Sequence, residues 1–176
     1  GTPTNNIKWT WSGWVKTSMA QEQGLFFGYV DANNYSFIGL NSNGQIQFYN
    51  HVGGSASHNM KISRYLRDWS AFYHIVVAYD SANVTESDRI KIYVNGVQET
   101  SFATSDYPSA SAVSKINGAW LHEVGAKLGT YDFSGVMSHV QFVDGSALAP
   151  TAFAETDATS GIWKIKPGAY ATPGNN

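Results

Sequence analysis

Trp69-Ser-Ala-Phe-Tyr-His-Ile-Val-Val-Ala-Tyr-Asp80, followed after a polar loop by Asp88-Arg-Ile-Lys-Ile-Tyr-Val-Asn-Gly96, decides the fold. Ile75, Val77 and Tyr79 alternate with His74, Val76 and Ala78. Ile90, Ile92 and Val94 alternate with Arg89, Lys91 and Tyr93, so both segments carry the period-2 signature of β-strands. Only the second has a clearly polar face. The pattern predicts a first strand covered on both sides and a second that turns Arg89 and Lys91 toward water. Asn95-Gly96 then supplies the positive φ angles of a tight hairpin turn.

Working outward, further strand candidates fall at 7–16, 24–30, 35–41, 45–50, 58–63, 97–103, 121–128 and 133–143. Asp31-Ala-Asn-Asn34, Asn43-Gly44, Gly53-Gly54 and Asp144-Gly145 separate alternating segments with the residues that chain reversal needs. A helical pattern is confined to one or two turns around Ser146–Glu155, with Ser146 as a cap and Pro150 as an interruption. Many short strands without intervening helices predict an all-β antiparallel two-sheet fold. Residues 104–120, rich in small polar side chains, form the longest stretch without alternation, and a loop of that length is usually functional or mobile.

With 176 residues the chain reads as one domain over 1–176, its polar termini being linkers to a larger protein. Charged residues make up 14% and the net charge is −2, which leaves no basic surface to neutralise nucleic-acid phosphates. The absence of cysteine excludes disulfides, thiolate metal sites and a thiol nucleophile. No apolar run approaches the ~20 residues that span a bilayer, so no membrane insertion is expected. Aromatic residues also reach 14%, enough to build a core and leave stacking platforms outside it.

Four segments in order, Ser12-Gly-Trp-Val-Lys16, Trp69 through Asp80, Ile90-Lys-Ile-Tyr-Val-Asn-Gly96 and Phe133-Ser-Gly-Val-Met-Ser-His-Val-Gln-Phe-Val-Asp-Gly145, resemble the laminin G-like, concanavalin A-like lectin/glucanase superfamily. The continuation Ala147–Asp157 and Gly161-Ile-Trp-Lys164 is similar to a variant found in virion proteins of tailed bacteriophages. The resemblance implies a jelly-roll sandwich of two antiparallel sheets, which hosts lectins, hydrolases and adhesive spacers alike.

The hydrolases of that superfamily place carboxylates on alternate residues of one strand, where acid and nucleophile share a cleft. Glu86-Ser-Asp88 and Glu155-Thr-Asp157 are the nearest approximations; each lacks a third carboxylate and reads as a solvated turn. The expectation is a non-enzyme with no catalytic residues. Calcium is the commonest cofactor implied by the resemblance, with Asp31, Asn33, Asn34, Asp80 and Asp88 as oxygen donors, but Asx residues in turns usually bond their own backbone. No metal site is therefore assigned.

Sugars are held by an aromatic face against their C–H patch, with Asn, Asp, Arg or backbone groups directed at the hydroxyls. Trp9, Trp11, Trp14 and Trp69 occupy strand positions and read as core, while Trp163 reads as a seal of the sandwich. Tyr107, Asn117, Trp120, His122, Tyr131 and Asp132 lie in or beside the irregular stretch and are the predicted ligand-binding residues. Tyr49, Asn50 and His51 beside Gly53-Gly54 form a second candidate group. The expected function is non-catalytic glycan binding and adhesion on a virion surface, hence extracellular, in a fibre or decoration protein. Its partners would be surface glycans and other virion chains, including copies of itself. The alternative is a purely structural protein–protein interaction domain of a fibre or capsid, with a polysaccharide hydrolase as the third reading.

Overall fold

The computed structural model describes residues 3–18 and 21–168, so Gly1 and the 173–176 end lie outside the described residues. Among the described residues thirteen strands follow one another: β1 (Lys8–Thr17), β2 (Gln23–Asp31), β3 (Asn34–Leu40), β4 (Ile46–Val52), β5 (Ser55–Ile62), β6 (Tyr73–Asp80), β7 (Ile90–Val94), β8 (Val97–Gln98), β9 (Phe102–Asp106), β10 (Leu121–Val124), β11 (Gly135–Asp144), β12 (Ala154–Thr156) and β13 (Trp163–Ile165). Two antiparallel sheets result, a five-stranded one in the order β11-β1-β6-β7-β8 and a six-stranded one in the order β10-β2-β3-β4-β5-β9. The all-β sandwich expected from alternation is the fold observed.

The decisive segments are β6 and β7, paired from Ile75↔Val94 to Tyr79↔Ile90. Asn95 and Gly96 take φ of 50° and 81°, the left-handed pair that turns β7 into β8. Between the sheets, the residues of one parity interlock. Trp9, Trp11, Ile75, Val77, Tyr79, Ile90 and Ile92 of one sheet meet Leu25, Ile38, Leu40, Ile46, Phe48, Met60 and Ile62 of the other, each at most 2% exposed. Trp9 stacks on Tyr79 at a centroid distance of 5.1 Å and donates its indole N–H to Ser114 Oγ at 2.8 Å. Truncating such a side chain costs about 3–5 kcal/mol.

The alternation in β6 is apolar on both faces for a reason that lies far along the chain. Residues 146–166 fold back over the outer face of the five-stranded sheet, where Val76, Val143 and Phe153 make a second buried cluster with Leu148, Ala152 and Tyr93 around it. A two-stranded β12–β13 ribbon completes this third layer. Trp163 belongs to that layer, bonded to His74 on the outer face, and does not close the space between the two sheets. Nor does Pro150 interrupt a helix. It opens a single 3-10 turn over Pro150–Ala152, where a missing N–H costs nothing, and Ser146 is not its cap.

Four further expectations are corrected. Arg89 does not face water: its guanidinium donates to the Asn83 and Pro108 carbonyls and its side chain is 13% exposed. Residues 104–106 are part of β9, paired with β5, rather than loop. The run 97–103 is broken into β8 and the start of β9, and the strand expected at 121–128 ends at Val124. The remaining irregular segment turns inward. Ile116 is fully buried, Ser114 bonds the core, and a Cβ on Gly28 would lie 2.1 Å from the Lys115 carbonyl oxygen, so glycine is what lets this loop plug the sandwich.

Candidate functional site

Register places a second aromatic layer on the outer side of the six-stranded sheet. One row crosses the strands as Glu123↔Phe27↔Phe37↔Tyr49↔Asn59↔Asp106, and the next as Leu121↔Tyr29↔Tyr35↔His51. None of these rings is needed between the sheets, because Phe26, Ile38 and Phe48, the neighbours of opposite parity, already fill that space. Tyr35 stacks on His51 at 4.8 Å, Tyr49 lies 6.0 Å from Tyr35 and 5.8 Å from His51, and Phe27 lies 5.8 Å from Tyr29 and 5.6 Å from Tyr35. Phe27 and Phe37 are buried beneath this layer, whereas Tyr29, Tyr35, Tyr49 and His51 are half-buried.

One edge of the platform is built by the loop after β10. The Tyr131 carbonyl accepts the Gly24 N–H at 2.7 Å, and a Cβ on Gly24 would sit 2.4 Å from the Ala126 carbonyl oxygen, so the loop lies directly on β2. Its Lys127 ammonium stands 4.8 Å from the Phe37 ring, 4.7 Å from Tyr131 and 5.6 Å from Tyr35, and pairs with Glu22 at 3.2 Å. Burial, reinforced by the adjacent Tyr49 hydroxyl, raises the Tyr35 phenol above its ordinary value. The phenol therefore stays protonated at neutral pH and can donate. Along the opposite edge, Gln47 Nε2 donates to Asn59 Oδ1 at 2.7 Å, which adds amide groups beside the rings.

The six predicted site residues fall in three places. Tyr107 packs on the core, edge-on to Phe102 at 6.2 Å. Tyr131 joins the platform through Lys127, with the exposed Asp132 next to it. Asn117, Trp120 and His122 line a cleft of about 380 Å³ together with Phe26 and Phe142 on the inner side of β2 and β11. Within this group Asn117 is committed to structure: at φ 67° and 6% exposed, its amide N–H groups go to the Asn5 carbonyl and the Asp144 carboxylate.

In the second candidate group, Tyr49 and His51 face the platform, while Asn50 points inward and bonds Ser36 and Ser57. Tyr29, Tyr35, Glu22 and Lys127 were not singled out from the sequence. Their signal is parity across paired strands, which becomes readable only once the register is known.

Each of the three carboxylates considered for calcium has a partner within the protein, although Asp80 Oδ1 is buried and unpaired among the described residues. Asp31 accepts from Asn33 N at 2.8 Å and from the Asn34 amide at 3.0 and 3.1 Å, which lowers its pKa. Asp80 pairs with Lys8 at 2.8 Å and Asp88 with Lys91 at 2.9 Å. Among the described residues no group of three or more His, Asp or Glu is placed to hold a metal.

Two antiparallel sheets packed face to face in these strand orders form a concanavalin A-like sandwich. The laminin G family model described as the concanavalin A-like lectin/glucanases superfamily matches residues 2–151, and the chain belongs to that family. Among solved structures it is similar to the CBM40 module of the Ruminococcus gnavus IT-sialidase bound to α2,3-sialyllactose, at 17% identity and TM-score 0.59, covering 82% of this chain and 78% of that one. It is also similar to domain 4 of AbnA, an extracellular GH43 arabinanase of Geobacillus stearothermophilus, in complex with arabinotriose, at 19% identity and TM-score 0.56. That match covers 84% of this chain and 65% of the other. Domains LG4-5 of the mouse laminin α1 chain match at 9% identity and TM-score 0.50, over 81% of this chain and 37% of that one. A search of curated proteins gave no match.

Proposed function

We propose that the chain is a non-catalytic glycan-binding module and that saccharide lies on the outer face of the six-stranded sheet. One observation carries this reading: Tyr29, Tyr35, Tyr49 and His51 form a continuous, half-buried aromatic surface on the side of the sheet that the core does not use. Rings of this kind take the C–H face of a sugar, and phenol, imidazole and amide groups at the same level bond its hydroxyls. Of the carboxylates at this face, Glu22 pairs with Lys127 and Glu123 accepts the Leu128 N–H at 2.6 Å. Asp106 stands at the other end of the row from Glu123, five strand spacings of about 4.8 Å away, well beyond the about 5–9.5 Å of a glycosidase pair, which favours binding over acid–base hydrolysis.

The sugars bound in two of the similar structures, sialyllactose and arabinotriose, support the glycan class. Display in many copies on a virion, the setting implied by the resemblance of residues 147–164, fits a shallow platform, because multivalency multiplies weak single-site contacts. Titration of a glycan panel against the chain and its Tyr49→Ala variant tests the reading, with saturable binding lost in the variant as the expected outcome.

A further inference from the structure

The Trp120 cleft is distinct from the platform. On β10 the parity that turns Leu121 and Glu123 outward turns His122 inward, opposite Gly28, so the two surfaces lie on opposite sides of the same sheet edge. The floor of the cleft is the Phe26–Phe142 stack at 5.5 Å, continuous with the core through Trp9, and Pro3, Trp120 and His122 contribute walls.

His122 is held in one state. Its Nδ1 lies 3.0 Å from the Trp120 carbonyl oxygen. A carbonyl only accepts, so Nδ1 carries the proton and Nε2 keeps the lone pair. The imidazole also stacks on Phe26 at 5.6 Å, which fixes the plane of the ring. Its Nε2 is buried and has no hydrogen-bond partner among the described residues. Burial lowers the pKa of His122, which keeps the ring neutral at neutral pH. A buried acceptor of this sort is a standing demand for a donor.

The wall beside it is equally fixed. Trp120 donates its indole N–H to the Lys115 carbonyl, and its six-membered edge rests against Gly118, where a Cβ would fall 1.9 Å away. Among the described residues, none that lines the cleft carries a charge. The neighbouring Asp144 carboxylate is consumed by Thr4, Asn5 and Asn117, and the Lys115 ammonium stands over the Trp120 ring at 5.8 Å. An occupant must therefore be uncharged, offer an apolar face to aromatic walls and bring an O–H or N–H to Nε2. A volume of about 380 Å³ is at the lower end of the range for small-molecule sites and admits a single ring unit.

We propose that this cleft is a second ligand site, which takes one uncharged saccharide unit with its C–H face on the aromatic walls and a hydroxyl donating to His122 Nε2. The ligand class rests on the glycan reading above; the site does not depend on the tyrosine face.

The test is a titration of the isotope-labelled full chain with arabinose, galactose, glucose and N-acetylglucosamine, followed by NMR. The expected result is saturable perturbation of residues 117–122, of the Trp120 indole N–H and of the His122 Nε2 resonance by at least one sugar. Replacing His122→Phe, which keeps the stack on Phe26 and removes the acceptor, is expected to weaken binding about tenfold or more. Ala119→Trp, at the exposed rim, blocks the cleft without touching the core and gives the same loss if His122→Phe fails to fold. Tyr49→Ala leaves cleft binding intact. The proposal is overturned if none of these sugars perturbs residues 117–122, which leaves water as the partner of Nε2, or if Ala119→Trp binds as well as the parent chain. Perturbation confined to the tyrosine face overturns the cleft alone, and silence at both faces across the wider glycan panel overturns the glycan reading as well.

Discussion

The Trp163 indole N–H donates to His74 Nδ1 at 3.0 Å and ties the third layer to the five-stranded sheet. Trp is a donor only, so His74 Nδ1 is the acceptor and Nε2–H donates to Ser12 Oγ at 2.9 Å. Trp14 stacks on the same imidazole at 4.9 Å, leaving His74 fully buried. Trp163→Phe keeps an aromatic ring but strands Nδ1 without a donor. We expect a loss of about 1–3 kcal/mol in urea unfolding, and an unchanged midpoint would refute the role of the bond.

The same histidine gives the protein an acid sensitivity. Burial lowers the His74 pKa from 6.5 to about 4, so between these values the unfolded chain binds a proton that the folded one refuses. Stability is then complete above pH 6.5 and falls as pH drops toward about 4, by about 3 kcal/mol at about 1.4 kcal/mol per pH unit. His58, whose pKa burial also lowers, acts in the same direction. Thermal unfolding across this window, compared with His74→Gln, checks the sign: the variant should show a shallower slope.

Asn117 should behave as a staple rather than as a ligand residue. Asn117→Ala removes its bonds to Asn5 and Asp144 and places a Cβ-bearing, non-amide residue at φ 67°. The expected cost is about 2–4 kcal/mol, and Asn117→Gly, which accepts that φ, should lose about 1 kcal/mol less. Equal losses in the two variants would show that the backbone conformation contributes nothing.

Lys127 is expected to hold the platform's edge. Lys127→Met retains the aliphatic stem and removes the charge from above Phe37, Tyr131 and Tyr35, at about 0.5–1 kcal/mol per ring contact. Faster amide exchange at Gly24, whose N–H bonds the Tyr131 carbonyl, is the signature to measure. Unchanged exchange there would place the loop's stability elsewhere.

The Trp69–Gly96 segment was legible because period-2 alternation and an Asn-Gly turn are local signals, and β6 and β7 extend over eight and five residues. The third layer was not, because β12 and β13 have three residues each and pair only with each other. Of the site, Trp120 and His122 stood out beside an irregular stretch and do share a cleft, whereas Tyr107 turned to the core. The tyrosine face was obscured by its own chemistry. In Leu25-Phe-Phe27 and Tyr35-Ser-Phe-Ile38 both faces of the strand carry large apolar or aromatic residues, so alternation does not say which face is core. The cross-strand register resolves it by placing Tyr35 between Tyr29 and His51.

The central claim, glycan on the outer face of the six-stranded sheet, is tested most directly by mapping backbone amide shifts during titration with a panel of neutral and acidic oligosaccharides. The account predicts saturable shifts in Tyr29, Tyr35, Tyr49 and His51 that disappear in Tyr35→Ala and Tyr49→Ala while both variants remain folded. Binding that persists undiminished in these variants, or a panel that leaves the four residues unmoved, would contradict it.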